Sequence, residues 1–198
     1  MKLRKIQLIL WILVGLALIA GMAVMMSQRS SLPPSPAEVK VGGPFTLTAA
    51  DGSKFSSDRL AGRPHAIFFG FIHCPDVCPT TLARLAKLRN ELGKGHEAFD
   101  IVFVSVDPER DTAEEMARYV KLFATPVIAL TGSPADIDTV KNSFGIYSEK
   151  VPEKDGAYSV DHSAQVLLFN RDGSFGGTIA FDENDSAALK KLENISDS

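Results

Sequence analysis

Two cysteines, Cys74 and Cys78, are the only sulfur nucleophiles in the 198-residue chain, and they lie four positions apart in Cys74-Pro75-Asp76-Val77-Cys78. A pair so spaced can close either a disulfide or a metal ring. The competing reading is a disulfide that only staples a loop, but so small a ring constrains the unfolded chain little, because loop-closure entropy grows with loop length. Reversible chemistry accounts for the pair better. The third candidate is His162, in Ser159-Val160-Asp161-His162-Ser163. A histidine alone is more often a surface or hydrogen-bonded residue than a ligand. Joined to two thiolates, however, an imidazole makes a soft three-donor set that suits Cu(I) and, with a further ligand or distortion, Cu(II). Zinc is the alternative, although a structural zinc site would want a fourth Cys or His. The other histidines are less well placed: His65 and His96 lie apart from the pair, and His73 points to the opposite side from Cys74 if the chain is still extended there.

The elements around these residues must deliver them to one place. Ala66-Ile67-Phe68-Phe69 is a continuous apolar run of the kind that a strand buried on both faces needs. From Thr80, Leu82, Leu85, Leu88 and Leu92 recur at helical spacing, and Pro79 suits the first helical position, where its missing N–H has no partner to lose. Strand, cysteine turn, helix is the thioredoxin-like way of presenting sulfur. Upstream, Asp51-Gly52 reads as the turn of a hairpin between Phe45–Thr48 and Ser53–Ser56, followed by a short helix over Ser57–Gly62. Downstream, Ile101–Val106 and Val127–Leu130 read as buried strands of a parallel sheet. Asp111-Thr112-Ala113-Glu114-Glu115 offers two overlapping capping boxes for a crossover helix, and Ser133-Pro134 starts another. Ala157–Ser163 leads into a strand at Gln165–Phe169, Asp172-Gly173 turns it into Ser174–Phe181, and Asn184–Ile195 reads as a last helix. The fold class is therefore α/β, thioredoxin-like, with a mixed central sheet and an N-terminal hairpin extension. In such a sheet the segment entering the late strand, which carries His162, lies beside the cysteine turn.

The N-terminus is of another kind. Ile6–Met26 is a run of 21 residues without a charge, close to the roughly 20 needed to cross the hydrocarbon core as a helix. Lys2, Arg4 and Lys5 precede it and keep that end in the cytoplasm by the positive-inside rule. A cleaved signal peptide is the rival, but its apolar core is shorter and its small-x-small cleavage site is matched only weakly, by Gly21-Met22-Ala23. The expectation is thus a cytoplasmic basic end (1–5), a transmembrane anchor (6–26), a Pro-, Ser- and Gly-rich flexible linker (27–43) and one folded domain (44–198) facing an oxidising compartment. With Arg29, the basic end holds the only charges before Ser30, so the formal −3 of the chain leaves about −7 on the rest. A nucleic-acid partner is excluded on that balance.

With these residues in hand, the chain resembles the Sco/SenC family of copper-handling proteins. The resemblance rests on FFGFIHCPDVCP at Phe68–Pro79, VSVDPERDT at Val104–Thr112 and YSVDHS at Tyr158–Ser163, in family order and over roughly Val41–Phe181. Ile72 stands where a threonine is common, and the C-terminus is short. The resemblance implies that Cys74, Cys78 and His162 ligate copper, that Asp107 serves partner recognition or site organisation, and that Asp161 orients or flanks the ligand histidine. It implies a metallochaperone for the dinuclear copper centre of cytochrome c oxidase subunit II, loaded by a copper donor chaperone. The alternative is a thiol–disulfide oxidoreductase that keeps the acceptor cysteines reduced, with Cys74 and Cys78 as the redox-active pair and a thiol reductant as partner. Peroxide scavenging ranks last, since no Arg or Lys neighbours either cysteine in sequence. Lacking an Arg- and Ser-rich transit peptide ahead of the span, the chain is expected to be a single-pass protein of a bacterial inner membrane, with its soluble domain in the periplasm.

Overall fold

The computed structural model describes residues 41–197, residues 13–22 and the single positions Arg4, Gln7 and Trp11. The chain divides into two compact units, Met1–Val39 and Lys40–Ser198. Much of the expected span 6–26, most of the basic end 1–5 and linker residues 27–40 lie outside the described residues. Within the first unit, residues 13–22 are helical, and Leu13, Leu16, Leu18, Ile19 and Met22 are exposed. Among the described residues no helix is long and apolar enough to cross a membrane.

In the second unit the strands and helices follow in the order β1 (Thr46–Ala49), β2 (Lys54–Ser56), β3 (His65–Gly70), α1 (Val77–Glu91), β4 (Asp100–Ser105), α2 (Ala113–Val120), β5 (Ile128–Thr131), α3 (Pro134–Phe144), β6 (Ser148–Pro152), β7 (Tyr158–His162), β8 (Val166–Phe169), β9 (Phe175–Ile179) and α4 (Asp185–Ser196). Folding starts a little before 44. Val41 packs on the core and the Gly42 N–H donates to the Ser143 carbonyl at 2.8 Å.

Seven strands form one mixed sheet in the order β2-β1-β5-β4-β3-β8-β9. β3 pairs parallel with β4, as β4 does with β5, whereas β8 runs antiparallel on the other flank of β3. β3 therefore has a neighbour on both sides, and all six of its residues are buried. That is why its sequence is a continuous apolar run rather than an alternating one.

The local signals explain the ends of the elements. Thr112 caps α2 by accepting from the Glu115 N–H, Ser133 caps α3 by accepting from the Asp136 N–H, and Gly145 closes α3 at φ +66°. In the β1–β2 turn Gly52 takes φ +81°, and the Asp51 carboxylate accepts from the Ser53 N–H at 2.9 Å.

Three features depart from the sequence reading. α1 begins at Val77, so Cys78 lies in its first turn and Pro79 is its third residue, still among the four N–H positions without a helical partner. Asp111 caps nothing; it is fully buried and accepts from the Ser105 hydroxyl at 2.6 Å and the Ile72 N–H at 3.2 Å. Tyr158–His162 is no mere lead-in: as β7 it pairs antiparallel with β6, Ser148 opposite His162, in a two-stranded sheet separate from the main one.

Candidate metal centre

The cysteines are presented where β3 gives way to α1. After Gly70 the chain turns, with the Cys74 N–H donating to the Phe71 carbonyl at 3.3 Å, and the helix that follows buries Cys78 completely while leaving Cys74 partly exposed. Both thiols are free. The Cys78 N–H donates to Cys74 Sγ at 3.4 Å, so the i,i+4 spacing folds one sulfur back over the other's backbone. Gly70 makes room for this packing: a Cβ there would lie 2.7 Å from Cys78 Sγ and 3.0 Å from the Phe103 ring. Cβ atoms essentially never come as close as 2.7 Å, so any side chain there would force Cys78 to shift.

His162 reaches the same place from the other end of the chain. At the end of β7 its Nε2 lies 3.5 Å from Cys78 Sγ, and its Nδ1 lies 2.9 Å from the Ser163 carbonyl oxygen. A carbonyl only accepts, so Nδ1 carries the proton and donates, leaving the Nε2 lone pair toward the thiol. Backbone fixing of the far nitrogen is the usual way a metal-ligating imidazole is aimed. The ring also packs edge-on against Phe68 and Phe71, at centroid distances of 6.0 and 5.8 Å.

Electrostatics favour the neutral groups. Burial pushes the Cys78 thiol well above its ordinary value, and a backbone hydrogen bond from Phe71 opposes this without reversing it. Its place in the first turn of a helix would favour a thiolate; desolvation outweighs that. Burial likewise holds the His162 pKa below its ordinary value. A buried thiol and a neutral imidazole await something that displaces a proton.

The donor set fits a soft or borderline metal. Two donors about 2.3 Å (S) and about 2.1 Å (N) from a shared tetrahedral ion stand about 3.6 Å apart, close to the 3.5 Å between Cys78 Sγ and His162 Nε2. Among the described residues no three His, Cys, Asp or Glu side chains stand as a closed cage. Cys74 Sγ, which accepts from the Cys78 N–H, is the third donor available beside the pair. His73 does not supply a fourth: the chain turns there, and its Nδ1 lies 3.5 Å from Asp111 Oδ1. His65 stacks on Phe169 at 5.0 Å, and His96 is on the surface beside Glu97.

The two aspartates sit differently from one another. Asp161 is exposed, and the atom that orients the His162 ring is the Ser163 carbonyl rather than the Asp161 carboxylate. Asp161 flanks the histidine without holding it. Asp107 is fully buried, accepting from the Tyr158 hydroxyl at 2.9 Å and from Arg110 Nε. Both its oxygens are engaged inside the domain, so of its two expected roles the burial favours site organisation over contact with a partner. Arg110 and Tyr158 were not singled out by sequence reasoning. Arg110 follows Asp107 by three residues and is the nearest cation to it in sequence, the one signal that could have found the pairing.

Three comparisons agree on where this chain belongs. The SCO1/SenC family model matches residues 34–197. The chain is 41% identical over 144 residues to the mitochondrial SCO1 homolog 1 of Arabidopsis thaliana, a match covering 72% of this chain and 43% of that protein. It therefore spans less than half the length of that relative. With the SCO2-like protein RP587 of Rickettsia prowazekii it shares 32% identity, over 88% of each chain. Among solved structures, Bradyrhizobium japonicum ScoI with copper bound is similar, with 40% identity and a TM-score of 0.72 over 78% of this chain and 99% of that one. The match extends over the thioredoxin-like domain with its mixed sheet, and it takes in both cysteines and the histidine; by motif, sequence and fold, the chain belongs to the SCO1/SenC family.

Proposed function

We propose that this chain is a membrane-anchored copper metallochaperone, which binds copper through Cys74, Cys78 and His162 and delivers it to the dinuclear copper centre of cytochrome c oxidase subunit II. The observation that carries the reading is the 3.5 Å approach of His162 Nε2 to Cys78 Sγ beside a second free thiol. Copper in the related ScoI structure supports the choice of metal. Copper is cargo here, accepted from a donor chaperone and released by ligand exchange onto the acceptor's cysteines. Binding displaces the Cys78 proton, while the Ser163 carbonyl keeps the imidazole aimed. Thiolate sulfur favours Cu(I), and the imidazole widens the set toward Cu(II).

The anchor is read from the charge-free run 6–26 and from the exposed apolar side chains of helical residues 13–22, since a helix apolar all round calls for a buried or lipid setting. Together with the basic residues before it, this supports our reading of a bacterial inner-membrane protein with its folded domain in the periplasm.

One observation favours a second role, thiol–disulfide reduction of the acceptor. Cys74 is partly exposed and Cys78 is buried, the asymmetry of an attacking and a resolving thiol. Cys74 thiolate attacks the acceptor disulfide, one acceptor sulfur leaves as thiolate, and Cys78 then attacks Cys74. The acceptor gains two electrons, and this chain is left with the Cys74–Cys78 disulfide, which an external thiol reductant must reopen.

Anaerobic titration of the reduced full chain with Cu(I) and then Cu(II), followed by transfer to apo subunit II, tests the proposal. One copper per chain and its passage to the acceptor are expected. Failure of the reduced chain to bind either state would defeat the carrier reading; reduction of a disulfide-bearing acceptor without copper would leave the second.

A further inference from the structure

The hairpin that brings His162 to the site has no strand hydrogen bonds to the main sheet. Besides the His162 ring against Phe68 and Phe71, Val160 is buried in the core and Lys141 Nζ donates to Ser148 Oγ at 2.8 Å. The densest attachment is at Tyr158, where β7 begins. Its carbonyl accepts from Arg110 Nη1 at 2.9 Å, its hydroxyl donates to Asp107 Oδ1 at 2.9 Å, and the Arg110 guanidinium lies over its ring, 3.7 Å from the centroid. Arg110 Nε also closes on Asp107 Oδ2, and Lys150, above the same ring at 4.8 Å, pairs with Glu109 at 2.6 Å.

The loop making these contacts grips the cysteine turn with its other end. Asp111 accepts from the Ile72 N–H, two residues ahead of Cys74, and from the Ser105 hydroxyl; that hydroxyl in turn accepts from the Asp107 N–H at 3.0 Å. A continuous set of hydrogen bonds thus runs from the turn bearing the sulfurs, through Asp111, Ser105 and Asp107, to the strand bearing the imidazole. Neither Arg110 nor Tyr158 is within the donor set.

We infer that Arg110 and Tyr158 are positioning residues that latch β7 to the 105–111 loop and so set the distance between His162 and the cysteines. The role as a copper latch rests on the metal reading above; the mechanical tie does not. With the latch closed, Nε2 meets Cys78 Sγ. With it open, the hairpin keeps its own internal pairing and carries His162 away as a unit, leaving a two-thiol site.

The test uses the full chain, two variants in the latch, and His162→Ala with and without Arg110→Gln. Tyr158→Phe removes one hydroxyl and keeps the ring; Arg110→Gln removes the stacked cation. In the metal-free chain, amide hydrogen exchange over 148–162 should quicken about tenfold in each variant while β3 and β4 keep their protection, and the His162 ring nitrogen shifts should move. Copper affinity should fall about tenfold in Arg110→Gln, yet show no further fall when Arg110→Gln is added to His162→Ala. Unchanged hairpin exchange in both variants would overturn the latch. So would an equal affinity loss with and without His162, which would mean that Arg110 acts on the fold at large. If the parent bound no copper, the carrier reading would fall, while exchange and the ring nitrogens would still decide the latch.

Discussion

Cys78 Sγ and His162 Nε2 lie 3.5 Å apart across 84 positions of sequence, with the imidazole held from behind by a backbone carbonyl. The sulfur and the nitrogen are neighbours before any metal arrives. Such a pair loses little conformational freedom on binding, so each donor contributes close to its full strength.

Replacing His162 by Ala should lower copper affinity more than about a hundredfold, since it deletes a ligand rather than its support. The fold should survive. The lost edge contacts to Phe68 and Phe71 cost about 1 kcal/mol. Urea unfolding monitored beside copper titration separates the two effects, and equal copper affinity for parent and variant would remove His162 from the ligand set.

Gly70→Ala should damage the site through Cys78. The new methyl would lie 2.7 Å from Cys78 Sγ and 3.0 Å from Phe103, an overpacking worth about 1–3 kcal/mol in a close-packed core. A lowered urea midpoint with an unchanged slope, together with faster reaction of Cys78 with a thiol reagent, is the expected pair of results.

Asp107→Ala should destabilise the domain by about 2–4 kcal/mol, because it leaves the Arg110 and Tyr158 donors without their buried acceptor. Sequence alone suggests a change that spares folding and impairs delivery. Complete burial of the carboxylate argues otherwise, and Asp107→Asn, which keeps one acceptor oxygen, should recover part of the loss. Denaturant unfolding of both variants decides it.

Acid should weaken the fold in a defined window. Burial holds both His65 and His162 below their ordinary value of 6.5. Once the pH drops below 6.5, the unfolded chain takes up protons that the folded chain refuses, so stability falls until the folded-state pKa values are reached. Cys78 acts at the other end: its raised pKa means that above the ordinary 9.0 the unfolded chain loses a proton the folded one keeps, and stability falls as pH rises. Burial raises the Asp111 carboxyl and so works against the acid loss, which makes the check a comparison: the parent should lose more stability than His162→Ala between pH 7 and 5.5, and should lose stability again from pH 7 to 9.5. In His162→Ala the acid loss should shrink without vanishing, because His65 remains.

Disulfide formation and copper binding should exclude each other. A sulfur tied to its neighbour has no thiolate to offer, so chain oxidised at Cys74–Cys78 should take up no copper at this site. A ligand that binds only the dithiol form stabilises it, and the reduction potential of the pair should rise when copper is present. Stoichiometric uptake by chain whose disulfide is verified by mass would refute this.

The sheet was legible because its signals are local and agree with one another: the apolar runs of β3 and β4, the Asp51-Gly52 turn, the Thr112 and Ser133 caps. The ligand triplet was legible because Cys, Cys and His are the residue types that can do this chemistry. What escaped depends on contacts distant in sequence. β6 is short, charged and mostly exposed, so its partnership with β7 leaves no periodic trace. Asp111 had a plausible local role as a cap, and a hydrogen bond from Ile72, 39 positions away, displaced it. Asp107 read as a loop residue because nothing in its neighbourhood announces Tyr158.

The separation of β7 from β3 in the sequence also bears on when the site can exist during synthesis. β3, both cysteines and the 105–111 loop leave the ribosome well before β6 and β7, and His162 closes the second of those strands. Until that hairpin has emerged and met the loop, a growing chain offers a dithiol without its imidazole. The three donors therefore assemble in two instalments, sulfur first and nitrogen last.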